Sequence, residues 1–213
     1  MAFGPVPSGR GSADTHTTLS RRPPPAAGLY ALKPWYAARL RGLRHALARR
    51  GTHPDVVSVS GICFAALAGG GLAVLPQGWA VLVVAPMLAL RLAAANLDGA
   101  LARDTGMQTR RGALLNEIGD RLADLAVLAG CLLLAPAWLV VAVMLAASAP
   151  SWVSLAGAAA GAERINGGPV GKTERCLLIT VLAAVPESTT MVLVIVGTGS
   201  LVTACYRAHQ LCR

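Results

Sequence analysis

The sequence predicts an all-α, polytopic membrane protein, with six transmembrane helices preceded by a basic amphipathic interfacial helix. Three observations predict it. Of the 213 residues, 54% are hydrophobic and 14% charged, against about 45–50% and about 25% in an ordinary soluble domain. The apolar residues gather in long runs, and several runs reach the roughly 20 residues that cross a hydrocarbon core. The basic residues fall on one side of the topology those runs define.

Residues 1–28, with Gly, Pro, Ser and Arg prominent and few large apolar side chains, read as a disordered basic tail. Residues 29–53 read as an amphipathic juxtamembrane helix and turn. Pro34 suits a first helical turn. Tyr36, Leu40, Leu43 and Leu47 then recur at i, i+4, i+7 and i+11, with Arg39, Arg41, Arg44, Arg49 and Arg50 around them. Such a helix suits an anionic membrane surface, with Trp35 as an interfacial anchor. Its apolar face could instead pack on the protein. Gly51-Thr52-His53-Pro54 ends the helix and turns the chain into a membrane domain over 54–207, and 208–213 is a short cytoplasmic tail.

The expected spans lie near 56–75, 79–97, 122–136, 138–160, 176–188 and 190–206. The connections Pro76–Gly78, Ala135–Ala137 and Glu187–Thr189 carry no Lys or Arg, so all 19 basic residues fall on the other side. That asymmetry follows the positive-inside rule and puts both termini in the cytoplasm. The net charge of +9 is thus topological and lipid-facing, and calls for no nucleic acid partner. The first apolar run begins past residue 55 without a small-residue cleavage site, so no signal peptide is expected. The five cysteines lie mostly in or beside apolar runs with no CxxC pair, as small hydrophobes do.

The chemistry concentrates in Leu90–Gly130. Asp98, Asp120 and Asp124 sit at apolar boundaries, where an ionised carboxylate is costly and therefore marks function. Asn116, Asp120 and Asp124 are spaced i, i+4, i+8 and share one helix face, and Asp98, closing the preceding helix, could face them. Converging oxygen ligands suit Mg2+, Mn2+ or Ca2+. The same acids could instead pair with Arg103, Arg110, Arg111 and Arg121.

These residues resemble the CDP-alcohol phosphatidyltransferase family, whose signature is D-x2-D-G-x2-A-R, about eight residues, then G-x3-D-x3-D. Asp98, Gly99, Ala102, Arg103, Gly112 and Asp120 match it, while the first Asp falls on Ala95 and the third on Asn116. Asp120-Arg121-x2-Asp124 is similar to the inositol-phosphate branch, and phosphatidylglycerophosphate synthases are a neighbouring branch. Pro54-Asp55-x2-Ser58 resembles a degenerate P-N-x2-T.

The resemblance implies phosphatidyl transfer from CDP-diacylglycerol to a small alcohol with release of CMP, as a step of phospholipid biosynthesis. It implies a metal site at Asp98, Asn116, Asp120 and Asp124 holding one or two Mg2+ or Mn2+ ions, with Asp120 as general base. Gly99, Ala102, Arg103 and Gly112 would then take the nucleotide. Homodimers occur among such proteins, and a bacterial cell membrane with a cytoplasmic active site is the expected setting.

A second cluster, Glu163–Arg175, contains Gly171-Lys172-Thr173. A P-loop is excluded there, since its first glycine is Asn166, Pro169 stiffens the loop and no strand precedes it. The resemblance instead puts Lys172, Arg175 and Arg207 against a phosphate on the acceptor, inositol phosphate or glycerol phosphate. Topology alone would also explain these three cations. Two other functions stay open: a catalytically weakened relative that binds CDP-lipid or metal, and a small transporter component using its intramembrane acids.

Overall fold

The computed structural model describes residues 33–213 apart from Gln77 and Asn166. The tail expected over 1–28, and the first residues of the juxtamembrane segment, lie outside the described residues. Among those described, every regular element is helical.

The single juxtamembrane helix expected from the sequence is two, α1 (Lys33–Arg39) and α2 (Arg41–Arg49). The chain turns between them at Leu40, which packs with Leu47 and Ala48 against Val57, Ala94, Leu97 and Leu101. Arg44 adds an ion pair to Asp104 at 2.9 Å. The apolar face is therefore divided: Leu40 and Leu47 meet the protein, whereas Trp35 and Leu43 remain exposed.

Helix α3 (Pro54–Val74) starts where the Pro54 signal puts it, with His53 Nδ1 accepting the Asp55 N–H at 3.2 Å, as an N-cap should. Helix α4 (Val81–Asp104) runs beyond the span expected at 79–97, so Asp98 lies inside it. Helix α5 (Arg110–Ala129) begins at Thr109, whose Oγ1 accepts the Gly112 N–H at 2.9 Å, and continues as a 3-10 turn over Gly130–Leu133. Helices α6 (Ala137–Ala159), α7 (Lys172–Ala184) and α8 (Thr189–Leu211) complete the order.

Among the described residues, four segments are long and apolar enough to cross a membrane: α3, α4, α6 and Pro186–Leu211, which is α8 with the short 3-10 turn before it. Two expected spans fall short of that standard for clear reasons. The first half of α5 carries Arg110, Arg111, Glu117, Asp120 and Arg121. Helix α7, at 13 residues, covers only about 20 Å at 1.5 Å per residue.

Helix α3 packs along α4 and α5, α6 along α8, and α7 against α4. The α3–α5 crossing depends on glycine: a Cβ on Gly69 would strike the Ala126 carbonyl, and one on Gly130 would lie 2.8 Å from Gly69 Cα. Close approach through small residues is how membrane helices gain packing without a hydrophobic drive between them. Large apolar side chains such as Val74, Leu133, Leu145 and Leu82 point outward, as lipid-facing surfaces require. Trp79 and Trp138 are exposed at one end of the bundle, Trp35 and Trp152 towards the other, the arrangement of aromatic belts. Against that apolar background, Arg91, Asp98 and Arg175 are buried.

Candidate active site

Asp98 is anchored from two sides. Ser58 on α3 donates its hydroxyl to Oδ2 at 2.8 Å, and the Gly99 N–H donates to Oδ1 at 2.6 Å. Ser58 is the last residue of the degenerate Pro54-Asp55-x2-Ser58 motif, so that motif reaches the acid directly. A small cavity brings Asp98 together with Ser58, Ala95, Asn116 and Asp120. The expected facing of α4 and α5 acids is thus present for Asp98, Asn116 and Asp120.

Asp124 is placed differently. Arg91 of α4 binds its Oδ1, and Arg175 of α7 binds its Oδ2 at 2.5 Å. Arg91 also donates to Cys176 Sγ at 3.3 Å and towards the Asp120 carbonyl at 3.5 Å. With both oxygens held by guanidinium groups, Asp124 ties α4, α5 and α7 together. Among the described residues, no three His, Cys, Asp or Glu side chains are set to hold a metal. Asp98, Asp120 and Asn116 do line one cavity, which gives it two carboxylates and an amide. That donor set fits one hard cation of the Mg2+ type, which commonly takes one or two carboxylates and completes its shell with phosphates and water.

The small cavity shares Ala95, Asn116 and Asp120 as walls with a chamber of about 520 Å3. Lys172 at the start of α7 pairs with Asp120 there. Glu117 binds both Arg121 and, at 2.5 Å, Arg164 from the loop before α7. Arg207 of α8 donates from Nε to the Gly167 carbonyl at 2.8 Å and from one terminal nitrogen to the Pro150 carbonyl and Ser154 Oγ, each at 2.9 Å. Helix α1 supplies a wall through Trp35 and Tyr36. The Tyr36 hydroxyl donates to the Ala89 carbonyl at 3.2 Å, and burial raises its pKa, keeping the donor proton in place.

The loop that delivers Lys172 is fixed on α8. Thr203 Oγ1 accepts the Val170 N–H at 3.0 Å. Gly168 has φ +141°, and a Cβ there would run into the Thr203 side chain, so glycine is required both by conformation and by space. Gly171 then precedes α7, its N–H donating to Glu174 Oε2 at 3.0 Å.

The residues expected at the nucleotide lie outside both cavities, where α4 ends and α5 begins. The Arg103 guanidinium would lie 3.5 Å from a Cβ on Gly99, and a Cβ on Gly112 would meet Thr109 Oγ1 at 3.1 Å and Asp55 Oδ1 at 3.2 Å. Ala102 is half-buried on the same stretch of α4. Sequence reasoning assigned no role to Ser58, Glu117 or Arg164. Ser58 was visible as part of a motif, and Glu117–Arg121 as an i, i+4 pair, but the link to Arg164 is tertiary.

A helical membrane bundle with a buried carboxylate, Asp98, beside a chamber lined by both acids and bases defines a membrane enzyme for charged substrates. The chain belongs to the CDP-alcohol phosphatidyltransferase family, which it matches over residues 51–205. It is 31% identical to a phosphatidylinositol phosphate synthase of Mycolicibacterium smegmatis over 193 residues, covering 82% of this chain and 84% of the relative. It is 30% identical to the inner membrane protein YnbA of Escherichia coli over 152 residues, 70% of this chain and 76% of that one. Crystal structures of the Mycobacterium tuberculosis phosphatidylinositol phosphate synthase superpose with a TM-score of 0.62 at 25% identity and cover 80% of this chain. The structure with manganese and citrate is covered over 88% of its length and the one with CDP-DAG over 92%. The protein is therefore a membrane transferase of phosphate-containing groups, with a lipid donor and a polar alcohol acceptor.

Proposed function

We propose that the protein transfers a phosphatidyl group from CDP-diacylglycerol to a small phosphorylated alcohol, inositol phosphate or glycerol phosphate, and releases CMP. The observation that carries this reading is that two cavities share Asp120 and Asn116 as walls. Asp98 lines one of them, and Lys172, Arg175 and Arg207 line the other. A carboxylate between a cation-binding corner and a basic chamber is where a donor pyrophosphate and an acceptor phosphate can meet.

Asp98, Asp120 and the Asn116 carbonyl would hold Mg2+ or Mn2+, a choice supported by manganese in the tuberculosis enzyme. When bound, the ion neutralises pyrophosphate charge and orients the leaving group. Asp120 takes the proton of the acceptor hydroxyl. The hydroxyl oxygen bonds to the lipid-side phosphorus, and the bond from that phosphorus to the CMP oxygen breaks. Gly99, Ala102, Arg103 and Gly112 receive the nucleotide, with Arg103 reaching across Gly99. Lys172 turns from Asp120 to the acceptor phosphate, which uncovers the base as the acceptor arrives. Arg207, held by three oxygen acceptors, offers the phosphate a fixed guanidinium. Arg175, whose one nitrogen holds Asp124, has its others for the same phosphate.

In this reading α5 and α7 complete six spans, and α1–α2 lies at the interface with Trp35 in the headgroups. The active site and both termini face the cytoplasm of a bacterial cell, as the distribution of basic residues favours. A homodimer is the assembly. A second reading, a weakened relative that binds CDP-lipid without turning it over, is favoured by Ala95 and by the full occupation of Asp124 by arginines. The deciding experiment is CMP release from CDP-diacylglycerol in detergent, with Mg2+ or Mn2+, against a panel of alcohols. Metal-dependent CMP release with a phosphorylated polyol supports the transferase. Saturable binding of radiolabelled CDP-diacylglycerol with no CMP from any alcohol supports the second reading.

A further inference from the structure

Arg91 is an anomaly that the proposed reaction does not use. It lies within a membrane-crossing helix, is 2% exposed, and sits four residues before Ala95, hence on the same face of α4. It enters the small cavity alongside Ala95, Asp98, Asn116 and Asp120. Its Nε is buried with no hydrogen-bond partner, a costly state for a charged group.

The charge count around it decides what it does. Three carboxylates, Asp98, Asp120 and Asp124, stand with three cations, Arg91, Lys172 and Arg175, and ion pairs join Arg91 and Arg175 to Asp124 and Lys172 to Asp120. The cluster is neutral before any metal enters. One divalent ion is then balanced by the two ionised oxygens of a donor pyrophosphate. A second would leave an uncompensated double charge in a site walled by apolar helices, where such charge is expensive. Space and ligands agree with charge. The position that would add a carboxylate, Ala95, has none, and the group next to it on that face is the Arg91 guanidinium.

We infer that Arg91 is a built-in cation that replaces a second metal ion, so that this site binds a single divalent ion between Asp98 and Asp120. The inference rests on the metal-dependent transferase reading above and fixes the number of ions that reading leaves open. Arg91 is a positioning residue here: it supplies fixed positive charge and holds Asp124, while the acids hold the ion.

The test counts manganese on the full-length protein in lipid nanodiscs, by equilibrium dialysis and by paramagnetic resonance, with CDP-diacylglycerol present. The expected result is one Mn2+ per chain, with no spin coupling between ions. The Ala95→Asp variant, with Arg91 kept, should still bind one, because a single added carboxylate balances only half the charge of a second divalent ion. Adding Arg91→Met to that change leaves two carboxylates without a balancing cation and should admit a second ion, with the spin coupling of a close Mn2+ pair. Should this double variant fail to fold, the wild type and the Ala95→Asp variant still decide the matter. Two ions on either of them overturn the inference while leaving the transferase reading intact. No manganese on the wild type overturns the inference and the metal reading beneath it together. A folded double variant that still holds one ion also overturns it.

Discussion

Asp124 on α5 and Arg91 on α4 form a buried ion pair across 33 residues of sequence, and Arg175 on α7 closes it from the other side. This triad is a tie between three helices, all of which carry acids or bases of the active site. Breaking a buried pair by removing one partner usually costs about 3–5 kcal/mol, because the other charge is left uncompensated. Asp124→Asn leaves two buried guanidinium groups sharing one neutral amide. It should lower stability by about 3–5 kcal/mol, read as a clear fall in the thermal unfolding midpoint in detergent. A midpoint within a degree of wild type would show that the triad does not hold the bundle.

Asp98 and Asp120 should separate cleanly in kinetics. Asp98→Asn removes a ligand charge while keeping the Ser58 and Gly99 bonds sterically feasible, so divalent-dependent binding of CDP-diacylglycerol should be lost in a protein that still folds. Asp120→Asn should reduce turnover by about 10²-fold or more, with donor binding weakened far less. Equal losses of binding and turnover in Asp120→Asn would make that residue a ligand without a proton-transfer role.

Much of this arrangement was legible in the sequence because it is local. The helix periodicity of Asn116, Asp120 and Asp124, the Pro54 start of α3 and the Gly99–Gly112 signature are all short-range patterns, and the first two are reproduced in the helices. What escaped was tertiary. Nothing in the spacing of Asp124 says that its oxygens face Arg91 and Arg175 rather than Asp98, since i+4 spacing fixes a face and not the partner opposite it. The split of the juxtamembrane helix at Leu40 escaped for a similar reason: the periodicity of Leu40, Leu43 and Leu47 is continuous, and the turn is set by the α4 surface that Leu40 meets. Helix length misled in the other direction at α4, where Asp98 and Arg103 extend an apolar run with polar residues that are helical all the same.

The loop before α7 offers a test that leaves the charged residues alone. Gly168→Ala would force a side chain against Thr203 at a backbone angle that favours glycine. The Val170–Thr203 bond should loosen, and Lys172 with it. The apparent KM for the acceptor should rise while donor binding stays near wild type. A parallel rise in donor KM would mean that the loop serves the whole site rather than the acceptor chamber.

The last prediction separates acceptor binding from topology among the three cations of the chamber. If Lys172, Arg175 and Arg207 only mark the cytoplasmic side, each Gln variant should insert normally and show unchanged acceptor KM. If they meet an acceptor phosphate, each loses a charge-assisted hydrogen bond, typically about 1.5–3 kcal/mol, or a rise in KM of about 10- to 100-fold. The three should differ in side effects, because their present partners differ. Lys172→Gln leaves Asp120 without its ion pair and should disturb folding least, since both groups are partly exposed. Arg207→Gln also frees the Gly167 and Pro150 carbonyls and Ser154, so it should add a modest loss of thermal stability. Arg175→Gln removes one of the two cations on Asp124 and should be the most destabilising, so its KM is interpretable only beside an unfolding curve. Acceptor analogues lacking the phosphate give the control. Lys172→Gln and Arg207→Gln should penalise the phosphorylated acceptor and leave the phosphate-free analogue untouched. Equal penalties for both acceptors would return these residues to a topological role.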